Sequence, residues 1–139
     1  MNDPAMNDAT VIVVGWSPDE FGEAALARAV EEARLRRGRV VVVNATRGDA
    51  LVDDRYADED QLARLATELA ASGVEVDVRR SMGADVGDQV LAVAGDVAAD
   101  LIVIGLRRRS PVGKLLMGSV AQRILLGAEC AVLAVKPPH

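Results

Sequence analysis

Positive charge and glycine are concentrated in one short stretch of the chain, residues 105–119, with the sequence GLRRRSPVGKLLMGS. Three consecutive arginines and one lysine stand among three glycines, with no acidic residue, although the whole chain carries a formal net charge of −5. The stretch directly follows the apolar run ADLIVI, which is typical of a buried strand. Guanidinium groups and exposed backbone amides are what proteins use to hold phosphate, so these residue types indicate an anion site.

Each part of this segment can contribute to holding an anion. Gly105 lets the chain turn sharply out of the preceding strand. Gly118 and Ser119 stand at the expected start of a helix, where free backbone N–H groups and the helix dipole attract phosphate, and Ser119 can also donate its hydroxyl or cap the helix. The basic side chains that would neutralise a polyphosphate are Arg107, Arg108, Arg109 and Lys114. The alternative is a solvated loop whose arginines only improve solubility, with Ser119 as an ordinary N-cap.

The elements that must position this segment alternate between strands and helices. β-Branched or aliphatic runs predict strands at 10–15, 39–45, 74–80, 99–105 and 130–136. Helical spacing and stop signals predict helices at 20–38, 58–73, 86–98 and 118–127, with Gly38 and Gly73 as stops. This alternation implies an α/β domain with a single open five-stranded parallel sheet, helices on both faces and the common strand order 3-2-1-4-5. The third strand alternates apolar and polar residues and should lie at an edge, whereas the fourth is apolar throughout and should be central.

The predicted topology and the composition point to the same cleft. In an open parallel sheet, ligands bind beyond the carboxyl ends of the strands, where the strand order reverses. Here the reversal lies between strands 1 and 4, and these strands are followed by the two glycine-bearing loops VGWSPDE and IGLRRRS. The segment does not match a P-loop, and no G-x-G-x-x-G follows strand 1.

Bulk properties narrow the class of protein. The 139 residues fit one domain, which we place at 10–136 between a flexible tail at 1–9 and a short C-terminal tail at 137–139. The acidic balance argues against nucleic acid or an anionic membrane as a partner. The single cysteine excludes an internal disulfide. No run approaches the roughly 20 apolar residues of a membrane helix, so we expect a cytoplasmic protein.

Residues 100–137, DLIVIGLRRRSPVGKLLMGSVAQRILLGAECAVLAVKP, resemble the C-terminal signature of the universal stress protein family. That signature reads G-x-x-G, nine residues, then G-[ST]. Gly105 matches its first glycine, and Gly118 with Ser119 matches its last pair, while Arg108 stands at the second glycine. The resemblance extends over the chain, because VIVVGWSPDE and VVVVNA look like the family's first two strands.

The resemblance implies an adenine-nucleotide α-hydrolase-like fold and homodimerisation. It also implies ATP binding in many members, with Mg²⁺ arriving on the nucleotide. In such members the loop after strand 1 flanks the nucleotide, the end of strand 2 touches adenine, and the glycine loop holds ribose and phosphates. Carried onto this chain, the expected nucleotide-binding residues are Gly15, Trp16, Ser17, Ala45, Ile104, Gly105, Arg107, Arg108, Gly118, Ser119 and Val120.

Two functions remain open from the sequence. The first is a universal stress protein that binds ATP between strands 1 and 4 and acts as a stress-response binding or signalling module. The second is a nucleotide-free homodimeric interaction protein. Arg108 replaces a glycine of the signature, and the strand-1 loop lacks the family's frequent Asp, although Asp19 lies just beyond. In either case the fifth strand could pair with its copy, through Ala131, Val132, Leu133, Ala134 and Val135.

Catalysis has little support in the sequence. A related adenylyl transferase would need a His-rich signature, and the only histidine is His139. We therefore assign no catalytic residue and no protein metal ligand, and expect at most slow ATP hydrolysis. Asp85 and Asp88 fit helix capping, and Cys130 fits a small apolar packing residue. Trp16 has two equal interpretations, a wall of the nucleotide site or an aromatic cap on the core.

Overall fold

The computed structural model describes residues 9–46, 58–106 and 118–136. Its strands are β1 (Val11–Gly15), β2 (Arg39–Thr46), β3 (Val76–Met82), β4 (Leu101–Gly105) and β5 (Ala131–Val135). Its helices are α1 (Glu20–Arg36), α2 (Glu59–Ala70), α3 (Val86–Asp96) and α4 (Ser119–Gly127). The strands form one parallel sheet in the order β3-β2-β1-β4-β5, which confirms the predicted fold class and topology.

Helices cover both faces of this sheet. On one face, Ile12 and Val14 of β1 pack with buried residues of α1 and α2. On the other face, Val13 packs with buried residues of α3 and α4. Because the central strands are buried on both sides, the runs VIVV and LIVI are apolar throughout instead of alternating.

The two edge strands are also where the sequence predicted them. β3 pairs only with β2, and its residues are half-buried or exposed, which confirms the edge position predicted from its alternating sequence. β4 lies between β1 and β5 and is buried along most of its length, as expected for a central strand. β5 pairs only with β4, so it forms the second edge.

Aspartates cap the first three helices. Their carboxylates accept hydrogen bonds from backbone N–H groups of the first turn, which otherwise lack partners. The pairs are Asp19 with Gly22 at 2.9 Å, Asp58 with Gln61 at 2.8 Å and Asp85 with Asp88 at 2.8 Å. The predicted capping role of Asp85 is thereby confirmed.

Of the two glycines predicted as helix stops, Gly38 has a different role from the one that the sequence suggested, whereas Gly73 has a positive φ shortly after its helix. α1 ends at Arg36, and it is Arg37, not Gly38, that adopts the left-handed conformation, with φ 52° and ψ 43°. A Cβ on Gly38 would lie 2.4 Å from the carbonyl oxygen of Thr10, so a close backbone approach requires glycine there. α2 ends at Ala70, three residues before Gly73, whose φ is 79°.

Candidate functional site

A pocket opens at the carboxyl ends of β1 and β4, where the strand order reverses. It encloses about 910 Å³ of atom-free space, part of which is open solvent. Its described lining is mostly apolar and comprises Gly15, Trp16, Ser17, Phe21, Val43, Ala45, Val86, Val90, Ile104, Gly105, Leu106, Gly118, Val120, Ala121 and Ile124. Its position is the one that open parallel sheets use for ligands.

The first wall of the pocket is the loop between β1 and α1. The Trp16 backbone N–H donates to the carbonyl oxygen of Val43 at 2.9 Å, and its own carbonyl oxygen accepts from Asn44 Nδ2 at 3.0 Å. The indole is 6% exposed, and its Nε1–H donates to Glu23 Oε1 at 3.3 Å. Ser17 Oγ donates to Asp19 Oδ2 at 2.9 Å. Trp16 therefore belongs both to the core and to the pocket wall.

Two glycines end the strands on either side of the switch point, and their surroundings differ. A Cβ on Gly15 would meet only side-chain methyl groups, Ile104 Cγ2 at 3.7 Å and Val90 Cγ2 at 3.8 Å. A Cβ on Gly105 would lie 2.5 Å from the carbonyl oxygen of Phe21, in the first turn of α1. The close approach of that backbone, not the sharp turn inferred from the sequence, is what requires glycine at 105.

The end of β2 is held against α3. Gln89 Nε2 donates to the carbonyl oxygen of Thr46 at 2.8 Å, and the same oxygen accepts from the Gly83 N–H at 3.0 Å. Thr46 itself is 1% exposed. These bonds fix the strand end beside Ala45, which lines the pocket.

The opposite side of the pocket is the start of α4. Gly118 is the N-cap, with φ −76° and ψ 169°, and among the described residues no side chain caps the helix. Ser119 is the first helical residue, so the alternative in which Ser119 is the N-cap is wrong. The first-turn amides of a helix have no intrahelical acceptor, and the glycine at this N-cap has no side chain to supply one. Such an end of a helix favours an anion.

A salt bridge joins the helices on this side. Arg123 Nε of α4 lies 2.6 Å from Asp88 Oδ1 of α3, and this hydrogen bond is the largest cause of the raised pKa of Arg123. The helices also approach closely at Gly87, where a Cβ would lie 2.9 Å from Arg123 Cβ. The contact holds α4 against α3, whose Val86 and Val90 line the pocket.

The described lining carries no charged side chain. The expected phosphate ligands Arg107 and Arg108, together with Arg109 and Lys114, lie outside the described residues.

Burial raises the pKa of the Cys130 thiol, with a smaller contribution from the charge of Asp100. A raised thiol pKa disfavours the reactive thiolate, in keeping with a packing role for this half-buried residue.

The structure brings most of the expected site residues together. Those that line the pocket are Gly15, Trp16, Ser17, Ala45, Ile104, Gly105, Gly118 and Val120. Ser119 is exposed beside it and is not part of the lining. The lining residues that the sequence analysis missed are Phe21, Val43, Val86, Val90, Leu106, Ala121 and Ile124. Several lie on the apolar faces of α3 and α4, whose periodicity marks them as buried but not as facing a cavity.

Within ranges 9–46, 58–106 and 118–136, no helix is long and apolar enough to cross a membrane. The same ranges hold no cluster of three or more histidine, cysteine, aspartate or glutamate residues that could bind a metal ion.

Fold and pocket together define a doubly wound parallel α/β domain with a pocket at its switch point. A sequence profile of the universal stress protein family matches residues 8–136. A universal stress protein of Mycolicibacterium smegmatis is 47% identical over 127 residues, which are 91% of this chain and 98% of the relative. The chain therefore belongs to the universal stress protein family.

Solved structures of this family share the fold. One of a universal stress protein from Archaeoglobus fulgidus is 32% identical, with a TM-score of 0.76, over 92% of this chain and 98% of the other. A structure of the universal stress protein from the same organism in complex with dAMP is 28% identical. Its TM-score is 0.68, again over 92% and 98% of the two chains.

Proposed function

We propose that this chain binds an adenine nucleotide, ATP, in the pocket between β1 and β4, and acts as a stress-response binding or signalling module. The observation that carries the proposal is that one pocket combines an apolar slot with a helix start that no described side chain caps. An apolar slot suits a purine base, and the first-turn amides of a helix suit a phosphate. The related Archaeoglobus fulgidus protein was solved with dAMP, which supports the class of ligand.

The proposed orientation follows from the two ends of the pocket. The base lies towards Val43 and Ala45, near the carboxyl end of β2. Phosphates lie towards Gly118, Ser119 and Val120, with Arg107 and Arg108 supplying positive charge. Mg²⁺ would come with the polyphosphate, because the described residues hold no metal-binding cluster of their own. The fifteen described lining residues leave any catalytic role unassigned, so binding, not turnover, is proposed.

A titration of ATP against the emission of Trp16 tests this function, because Trp16 is the only tryptophan and lines the pocket. Calorimetry on the same samples gives an independent affinity. We expect a dissociation constant in the micromolar range, about −8 kcal/mol. AMP and tripolyphosphate, titrated separately, measure the contributions of the base and the phosphates. No heat and no emission change at millimolar ATP would leave the nucleotide-free interaction protein as the function.

We also propose a homodimer through β5, on the ground that this strand is an unprotected edge. Among the described strands β5 pairs only with β4, and an unpaired strand edge invites association. Exposed apolar side chains lie on the preceding helix, where Leu126 is 86% exposed. Pairing β5 with its copy across a two-fold axis would satisfy the edge without leaving it open to further chains.

Lysine at Val132 or Leu133 is expected to convert the dimer to monomer, because a charge in the pairing strand would have to be buried. Both side chains pack partly into the core, so circular dichroism must first show that each variant is folded. Leu35→Lys is the matched control, since it removes exposed apolar surface on α1, outside both the strand and the helix that precedes it. Light scattering measures the mass, and a folded strand variant that remains dimeric contradicts this interface.

A further inference from the structure

Trp16 lines a second depression on the surface as well as the pocket. We call this depression the acidic groove; it is lined by Trp16, Pro18, Asp19, Glu23, Gln61, Arg64, Leu65 and Glu68. The pocket and the acidic groove therefore share Trp16 as a lining residue.

The backbone of Trp16 is fixed by the sheet, but its side chain depends on α1. Bonds to Val43 and Asn44 hold the backbone, and Asn44 is fully buried. The indole Nε1–H donates to Glu23 Oε1 at 3.3 Å, one turn into α1. The tilt of the ring about its fixed backbone is thus set by packing and by this one acceptor.

The charge of Glu23 responds to its neighbours. The side chain is largely exposed, yet partial burial of its carboxyl group is the largest cause of a raised pKa. The hydrogen bond from Trp16 lowers the pKa, whereas the charges of Glu68 on α2 and of Asp19 before α1 raise it further. Arg64 of α2 is the basic side chain in the described groove. An ionised carboxylate accepts a stronger hydrogen bond than a protonated one, so the charge of Glu23 and the position of the indole are coupled.

We propose that Glu23 is a positioning residue for the nucleotide pocket, because its carboxylate holds the Trp16 indole in the wall that the pocket shares with the acidic groove. The effect on nucleotide affinity rests on the proposed function, whereas the contact between Glu23 and Trp16 does not. Protonation of Glu23 would weaken the contact and loosen that wall. Affinity for the nucleotide should then fall as the pH falls through the pKa of Glu23.

The contact is tested in the protein without nucleotide, by following Trp16 emission against pH. Wild-type emission is expected to titrate with a midpoint above 4.5, the ordinary pKa of a glutamate. Glu23→Gln keeps an acceptor oxygen but cannot ionise, so its emission should stay flat over the same range. A flat wild-type profile, or an equal transition in Glu23→Gln, would overturn the proposal.

Stability provides a second readout, whose sign follows from the raised pKa of Glu23. A carboxyl group of raised pKa binds a proton more readily in the folded state, so it stabilises the fold below its ordinary pKa, and this contribution is lost as the pH rises through the folded pKa. Glu23→Gln cannot ionise, so its stability does not fall in this way as the pH rises. The free energy of unfolding of Glu23→Gln, relative to wild type, should therefore be higher at neutral pH than below pH 4.5. The opposite trend would overturn the coupling.

The effect of the contact between Glu23 and Trp16 on the pocket is tested by measuring nucleotide affinity. Glu23→Leu, confirmed as folded by circular dichroism, is expected to bind ATP about two- to fivefold more weakly by calorimetry, as for one lost hydrogen bond. Glu23→Gln should bind like wild type at neutral pH and lose less affinity than wild type on acidification. Unchanged affinity in Glu23→Leu would refute the positioning role. Absence of binding in every variant would instead refute the proposed function and the effect on affinity, while the emission titration would still decide the contact.

Discussion

Replacing Gly105 with alanine is expected to lower the free energy of unfolding by about 2–4 kcal/mol, the range of severe overpacking. The added Cβ would lie 2.5 Å from the carbonyl oxygen of Phe21 and 3.1 Å from its carbonyl carbon. These are backbone atoms of the first turn of α1, so no side-chain rotation can relieve the contact. Either α1 moves away from the sheet or β4 shifts in its register with β1 and β5. Urea denaturation followed by circular dichroism measures the loss.

Gly15→Ala is the matched control for this substitution. Gly15 also ends a central parallel strand and lines the same pocket. A Cβ there would make ordinary contacts of 3.7 and 3.8 Å with side-chain methyl groups, so the free energy of unfolding should change by less than about 0.5 kcal/mol. Equal losses in the two variants would contradict the close approach of Phe21. If Gly105→Ala alone is unstable, any loss of nucleotide affinity in it must be attributed to displaced structure before it is attributed to a lost phosphate contact.

The sheet could be predicted from the sequence because its signals are local. Central strands buried on both faces must be apolar throughout, as VIVV and LIVI are. An edge strand with one solvent-exposed face alternates apolar and polar residues, as β3 does. Right-handed crossovers then leave few topologies, and the observed order is the common one. The switch point followed from that order, and with it the approximate position of the pocket.

Contacts between distant segments could not be predicted in this way. Gly38 and Gly105 appear as turn glycines in the sequence, yet each is required by one approaching carbonyl group, of Thr10 and Phe21 respectively. Arg37 adopts a left-handed conformation that the sequence would assign to the glycine beside it. The hydrogen bond between the Trp16 indole and Glu23 could not be predicted either, because in the sequence Glu23 is only one of several acidic residues near a helix start.

Gly118→Asp is expected to have opposite effects on stability and on nucleotide binding. Gly118 has φ −76° and ψ 169°, and Asp58, which caps α2 with its carboxylate, has φ −77° and ψ 173°. An aspartate at 118 can therefore adopt the capping conformation without strain and bond the first-turn amides of α4. The gain in the free energy of unfolding should be about 0.3–1 kcal/mol. Thermal denaturation without nucleotide measures it.

The same carboxylate would occupy the amides that we assign to the phosphates and would repel their charge. Two like charges about 4 Å apart near a protein surface repel by up to about 4 kcal/mol. We expect a loss of about 10- to 100-fold in ATP affinity, which is below that upper limit. Gly118→Ala separates the effect of charge from the effect of side-chain size, because it adds a methyl group but no capping carboxylate. It should lose little stability and little ATP affinity. Wild-type affinity in a stabilised Gly118→Asp protein would mean that the phosphates lie elsewhere. Equal losses in both variants would mean that the site excludes any side chain at 118, whatever its charge.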